Sequence, residues 1–297
     1  MGFKRWSSAI FTTLLASGSL LHAQKVSEQM YLGRPHFRIE TGTACYLYDR
    51  AGGGFSSIRD HANVEWIGFK PGGGRVPESA AADFRGLPNL VFRGADNGSG
   101  HPGFDNCISE QVSSDRIRTL SKSGLWEWTW TFSDEQALLE IIKCDTSRYY
   151  WFLYEGTPGG TFFPQKQFWG TSTLGHRTDA PAIGSDQTAG GCWNWAYFGH
   201  GEGTYCLYIL QLTPDQLTDS FSYMGSGPEG IDSADGMVVF GFGREGSEPL
   251  MSGPNSFMIG FLEQGKPVYR IQRKIKKIYR QYSKRQGRKI GPPRTMH

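Results

Sequence analysis

Three stretches of the chain place proton-moving or anion-gripping groups within a few positions of one another. The first is FRGLPNLVFRGADNGSGHPGF, which carries Arg85, Asn89, Arg93 and His101, with Asp83 just before it. An arginine bracketed by apolar residues, as Arg85 is, can hold a carboxylate or sulfate through its planar fork. His101 is the histidine best placed for proton transfer, since an imidazole titrates near neutrality. The bland alternative is a structural ion pair at Arg85 and a turn cap at His101.

The second stretch is YYWFLYEG, which ends on Tyr154 and Glu155. A carboxyl at the end of an aromatic strand is partly desolvated, which raises its pKa and suits it to acid work. Its alternative is a glutamate paired at a sheet edge. The third is FWGTSTLGHRTD, with Trp169, His176, Arg177 and Asp179. A ring for stacking beside planar polar groups is the composition of a sugar site; a solvated loop would read the same way. The histidines show no metal-ligand spacing, and no glycine-rich stretch has the lysine and strand-to-helix setting of a phosphate loop. No metal and no cofactor is expected.

These groups need short strands and turns to position them. With 40 glycines and 15 prolines in 297 residues, turns are frequent. Period-two alternation recurs along the chain. LWEWTWTF puts Trp126, Trp128 and Trp130 on one face. CWNWAYFGH and TYCLYILQL read as a hairpin across a His-Gly-Glu-Gly turn. In YYWFLYEG, alternation sends Tyr150, Phe152 and Tyr154 one way and Tyr149, Trp151 and Leu153 the other, so the run reads mainly as a strand buried on both faces. VEWIGF reads as a strand, TPDQLTDSFSYM as a possible short helix capped by Thr213, and SFMIGFLEQG as either the closing strand or the start of the last helix. The expected fold is all-β: one large antiparallel β-sandwich with a C-terminal basic amphipathic helix.

Residues 1–23 look like a signal peptide. Lys4 and Arg5 precede a mostly apolar stretch from Ala9 to Leu21, which is shorter than the about 20 residues of a membrane span. Export to the periplasm or medium is the expectation, with no transmembrane anchor. It permits disulfides, but the cysteine count of 5 is odd; Cys192 with Cys206 is the first pair to test, and free buried thiols are equally open. Residues 24–265 form the expected sandwich domain and carry 17 Lys+Arg against 28 Asp+Glu, a net of −11. Residues 266–297 form the tail and carry 12 Lys+Arg with no acid, a net of +12. Val268, Ile271, Ile275, Ile278 and Tyr282 recur there at helical spacing, ahead of a polar end that reads as disordered. Export argues against nucleic acid as the partner of this basic tail.

The stretches IETGTACYLYDRAGGGFSSIRDHANVEWIGF, FRGLPNLV, HPG and YWFLYEGTPGG resemble secreted bacterial glycan-degradation proteins with a galactose-mutarotase-like or polysaccharide-lyase-like β-sandwich. The resemblance spans roughly residues 35–265 and implies a carbohydrate-active protein. The favoured activity is cleavage of an anionic, uronate-containing polysaccharide by β-elimination. His101 or His176 would be the base, Tyr154 or Glu155 the acid, and Arg85 or Arg177 the group that neutralises the uronate, with Asn89, Trp169 and Asp179 contacting substrate. A hydrolase using paired carboxylates and a non-catalytic glycan binder or cell-envelope protein are the alternatives.

Overall fold

A computed structural model describes residues 25–70, 84–179, 189–225, 235–264 and 269–285. The chain is an all-β sandwich with a single C-terminal helix among the described residues. Strands β1 (Lys25–Tyr31), β2 (Arg34–Glu40), β3 (Ala44–Asp49) and β4 (Gly54–Asp60) form an antiparallel sheet in chain order. Strands β5 (Cys107–Ser113), β6 (Arg116–Ser121), β7 (Glu127–Phe132) and β8 (Gln136–Lys143) follow as a meander. They are joined in one nine-stranded sheet by β10 (Gln167–Thr171), β11 (Gly175–Arg177), β13 (Trp195–His200), β14 (Tyr205–Gln211) and β19 (Ser256–Glu263). Its order is β11-β10-β13-β14-β19-β8-β7-β6-β5.

A third sheet runs β12 (Ala189–Gly191), β15 (Asp219–Met224), β16 (Met237–Phe242), β9 (Phe152–Gly156). Residues 86–88 tie it to the first sheet. Phe55 N donates to Leu87 O at 2.7 Å on one side, and Gly86 and Glu155 exchange backbone hydrogen bonds of 3.0 and 2.9 Å on the other. The two four-stranded sheets therefore act as one layer facing the nine-stranded sheet. A small hairpin of β17 (Arg244–Glu245) and β18 (Glu248–Pro249) extends from the end of β16.

Between the layers lies an aromatic core that includes Trp128, Trp130, Phe152, Tyr154 and Phe240. The three tryptophans of LWEWTWTF are all buried in it, as alternation requires. A second cluster lies on the outer face of the nine-stranded sheet, where helix α1 (Tyr269–Arg285) seats Ile271, Ile275 and Tyr279 against Tyr197, Cys206, Tyr208 and Met258.

Two local expectations are corrected. The segment DSFSYM is strand β15, paired with β16 from Ser220 to Met224, because tertiary pairing overrides the weak N-cap signal at Thr213. VEWIGF forms no strand; a single bridge joins Glu65 to Arg59, and the Glu65 carboxylate accepts from the backbone N–H groups of Ile58 and Ile67. Of the two readings open for SFMIGFLEQG, the strand is the one found: Ser256–Glu263 is β19, paired with β14 and β8. All five cysteines are free thiols, so Cys192 and Cys206 are not paired. Cys206 is buried beneath α1 while Cys192 is exposed near Asp215.

Candidate functional site

Strand β9 decides which of its side chains can do chemistry. Tyr150, Phe152 and Tyr154 face the inter-sheet core. Trp151, Leu153 and Glu155 therefore face the outer side of their layer. Glu155 lies opposite Gly86 on one flank and Val239 of β16 on the other. The segment after Gly86 turns at Asn89, whose backbone takes φ 40°, a left-handed conformation that asparagine tolerates better than most residues. This turn aims its amide at the carboxyl: Asn89 Nδ2 donates to Glu155 Oε2 at 2.5 Å.

His101 arrives from the loop that follows. Its backbone N–H and that of Gly100 both donate to Gly52 O, in the β3–β4 turn. The approach is so close that a Cβ on Gly52 would lie 2.3 Å from His101 O, and one on Gly86 would lie 2.6 Å from Pro102 Cδ. The glycine runs of DRAGGGF and GSGHPGF are thus the two halves of one packed junction. Asp49 closes it by accepting from the backbone N–H groups of Ala51, Gly52 and Gly103 and from Arg34. Phe69, Phe84 and Phe104 pack edge-on around the imidazole at centroid distances of 6.3, 5.6 and 5.0 Å.

The imidazole Nε2 of His101 stands 4.0 Å from Glu155 Oε2. His101 is 0% exposed and Glu155 6%. Burial pushes the Glu155 carboxyl up to about 8, the Asn89 hydrogen bond and the Arg244 charge only partly opposing it. Burial likewise pushes His101 down to about 4, the backbone carbonyls of Phe84 and Pro102 beside the ring and the Asp49 charge only partly opposing it. At neutral pH the pair is therefore a carboxylic acid facing a neutral imidazole. The tautomer follows from geometry. His101 Nδ1 lies 2.6 Å from Pro102 O, a carbonyl that can only accept, so Nδ1 carries the proton and Nε2 keeps its lone pair. That buried Nε2 has no hydrogen-bond partner. Because Asn89 donates to Oε2, the carboxyl proton belongs on Oε1. One group can give a proton and its neighbour can take one.

Arg244, at the start of β17, is the member that sequence reasoning missed. It is 7% exposed and donates to Ser220 Oγ at 3.2 Å, while its Nε has no partner. Its guanidinium carbon lies 5.9 Å from the centre of the Trp151 ring, on the Glu155 side of the layer. Burial lowers its pKa, partly offset by Glu155, yet among the described residues no carboxylate forms an ion pair with it. A buried cation without a counter-ion is a costly arrangement. The only sequence signal was its place in the turn GFGREG, which reads as glycine-rich loop and nothing more.

The remaining candidates lie elsewhere or are already engaged. Arg85 is buried near this region, but it donates to the carbonyls of Gly68, Asp235 and Gly236 at 3.1, 2.6 and 3.0 Å, so its fork ties loops together. Tyr154 points into the core and donates to Trp66 O at 2.7 Å, on the opposite face of β9 from Glu155. His176 and Glu155 lie on opposite outer faces of the sandwich. Its Nδ1 is 3.1 Å from Tyr197 Oη, beneath α1. Trp169 is core, packed on Phe221, with its Nε1 donating to Asp179 O. Arg177 and Asp179 satisfy one another through two hydrogen bonds of 2.8 Å. Arg93 pairs with Glu248, and Asp83 lies outside the described residues. The expected convergence is therefore partial: His101, Glu155 and Asn89 meet, and His176, Arg177, Asp179 and Trp169 do not join them. No group of three or more metal-capable side chains occurs among the described residues.

No family model matches the chain, and no curated protein matches it in sequence. Solved structures do match in fold. A candidate mutarotase from Salmonella typhimurium superposes with a TM-score of 0.51 at 8% identity, covering 81% of this chain and 97% of that one. The chain shares its fold with that mutarotase-like structure. A galactose mutarotase related enzyme from Lactobacillus acidophilus gives 0.47 at 9% identity over 78% of this chain and 99% of that one. A xanthan lyase from Paenibacillus gives 0.44 at 9% identity over 80% of this chain and 25% of the lyase.

Proposed function

We propose that the chain is an exported carbohydrate-active protein that cleaves a uronate-containing polysaccharide by β-elimination, with Glu155 and His101 as its acid and base. The observation that carries this reading is the neutral pair itself: a protonated carboxyl and an unpartnered imidazole nitrogen 4.0 Å apart. Arg244 supplies what the pair lacks, a buried positive charge free to meet the uronate carboxylate and so acidify the C5 proton.

In the proposed step His101 Nε2 removes the C5 proton. The electrons of that C–H bond form the C4–C5 double bond, the C4–O bond breaks, and the departing oxygen takes the proton from Glu155 Oε1. A buried imidazole resists protonation alone, but here its gain of a proton coincides with the loss of one by Glu155, leaving a compensated ion pair. Return of the proton from His101 to Glu155 resets the site.

The test is incubation of the recombinant protein with a panel of uronate polymers, following the ultraviolet absorbance of the unsaturated product. Glu155→Gln and His101→Gln should each abolish it. Absence of both unsaturated product and new reducing ends across the panel would overturn the reading. The near-complete burial of both groups favours a second reading, in which the pair is a structural polar cluster and the outer face binds a glycan without turnover. Retention on polymer-bearing gels without any product would support it. The proposed export is supported by Lys4, Arg5 and the apolar stretch Ala9–Leu21, and N-terminal sequencing of the protein from periplasm or medium tests it.

A further inference from the structure

Helix α1 presents two faces of opposite character. Ile271, Ile275 and Tyr279 are buried against the nine-stranded sheet. At about 100° per residue, the cations Arg270, Arg273, Lys274, Lys276, Lys277 and Arg280 fall on the diametrically opposite arc. Arg270, Arg273, Lys274, Lys276, Lys277 and Arg280 are all exposed, and among the described residues none forms an ion pair. The helix contains no acidic residue to offset them. The sequence itself is segregated in charge, with −11 in residues 24–265 against +12 in residues 266–297.

We infer that the outer face of α1 is a docking surface for a linear polyanionic polysaccharide. Three observations select that partner. The apolar side of the helix is already occupied by the sheet, so little remains to enter a bilayer, and binding has to be electrostatic. Along the row Arg270, Arg273, Lys277 and Arg280, successive cations are three or four residues apart, a rise of ~4.5–6 Å at 1.5 Å per residue, which is on the scale of one sugar residue. Tyr269 is the one exposed aromatic ring of the described helix, so the row of stacking platforms typical of single-stranded nucleic-acid grooves is not present on it.

This surface lies across the sandwich from Glu155. It holds the polymer by a segment other than the one in the candidate site, and so keeps the protein on its substrate between encounters. The inference extends the uronate reading, but it is read out by binding, so each can fail without the other.

The full-length mature protein is titrated with sodium polygalacturonate, with a neutral glucan, with phosphatidylglycerol vesicles and with duplex DNA, across a range of salt. Polygalacturonate should bind, with log Kd rising linearly with log salt. The triple variant Lys276→Glu/Lys277→Glu/Arg280→Glu should weaken that binding at least tenfold while its melting temperature stays unchanged. The inference is overturned if polygalacturonate does not bind at about 0.1 M salt, where screening acts over ~10 Å. It is equally overturned if the triple variant binds as tightly as the parent, or if vesicles or DNA bind more tightly than the polymer.

Discussion

Glu155 and His101 leave a signature in the pH dependence of stability. The carboxyl is raised in the folded state from 4.5 to about 8, so between those values the unfolded chain has released a proton that the folded chain still holds. Stability falls with pH across that window by ~1.4 kcal/mol per unit. His101 is lowered from 6.5 to about 4, so between those values the unfolded chain binds the extra proton and stability rises with pH. The two slopes oppose one another from 4.5 to 6.5, and the Glu155 slope stands alone from 6.5 to 8. Asp219, raised to about 8 by burial, adds to the same alkaline loss, which is why the comparison must be with a variant. Glu155→Gln should flatten the fall between pH 6.5 and 8 relative to the parent in urea titrations. An unchanged slope would mean that Glu155 ionises normally and cannot serve as the acid. At Arg244, replacement by Gln should lower kcat/KM on uronate polymers roughly 10–100-fold, the worth of one charge-assisted contact at ~1.5–3 kcal/mol. Binding of a neutral glycan should change little. Equal losses on neutral and acidic sugars would point to a packing role over Trp151.

At the scale of elements, the site depends on the junction between the β3–β4 turn and the loop that carries His101. Gly52→Ala would drive a Cβ into the His101 carbonyl, and overpacking of that kind costs about 1–3 kcal/mol. Activity should fall with stability, since the displaced atom belongs to His101, the proposed base. Gly190→Ala is the matched control, because its nearest neighbour would be at 3.8 Å, and it should be nearly silent in thermal melts. The glycine runs and His101 were visible in the sequence, and so was the alternation that built the strands. Tyr154 shows where that alternation could have been taken further: residues 154 and 155 are adjacent on a strand and must face opposite ways, so Tyr154 and Glu155 could not share a site. The third stretch failed for a different reason. Trp169, His176 and Asp179 are close in sequence, but β10 and β11 distribute them between the core, the helix-covered face and the surface. Arg244 was not legible, because its meaning lies in the missing counter-ion, and no local pattern records an absence that arises only when β9, β15 and β17 come together.

The whole molecule carries two chemically distinct outer faces, with the Glu155 cluster on one layer and α1 on the other. Whether α1 is a structural part of the sandwich or only a basic appendage is decided by comparing its two sides. Ile275 is fully buried among Tyr197, Tyr208 and Met258, and its truncation to Ala should cost about 2–5 kcal/mol. That is a large share of the ~5–15 kcal/mol typical of a folded domain. Lys276→Glu/Lys277→Glu, one step around the helix, touches no packed neighbour and should stay within about 0.5 kcal/mol per site. The same contrast should appear in amide exchange: Ile275→Ala should speed exchange of the helix and of β14, and the charge reversals should not. If Ile275→Ala leaves both stability and exchange unchanged, the helix is loosely held, and its basic face would then be free to leave the sandwich with any partner it binds.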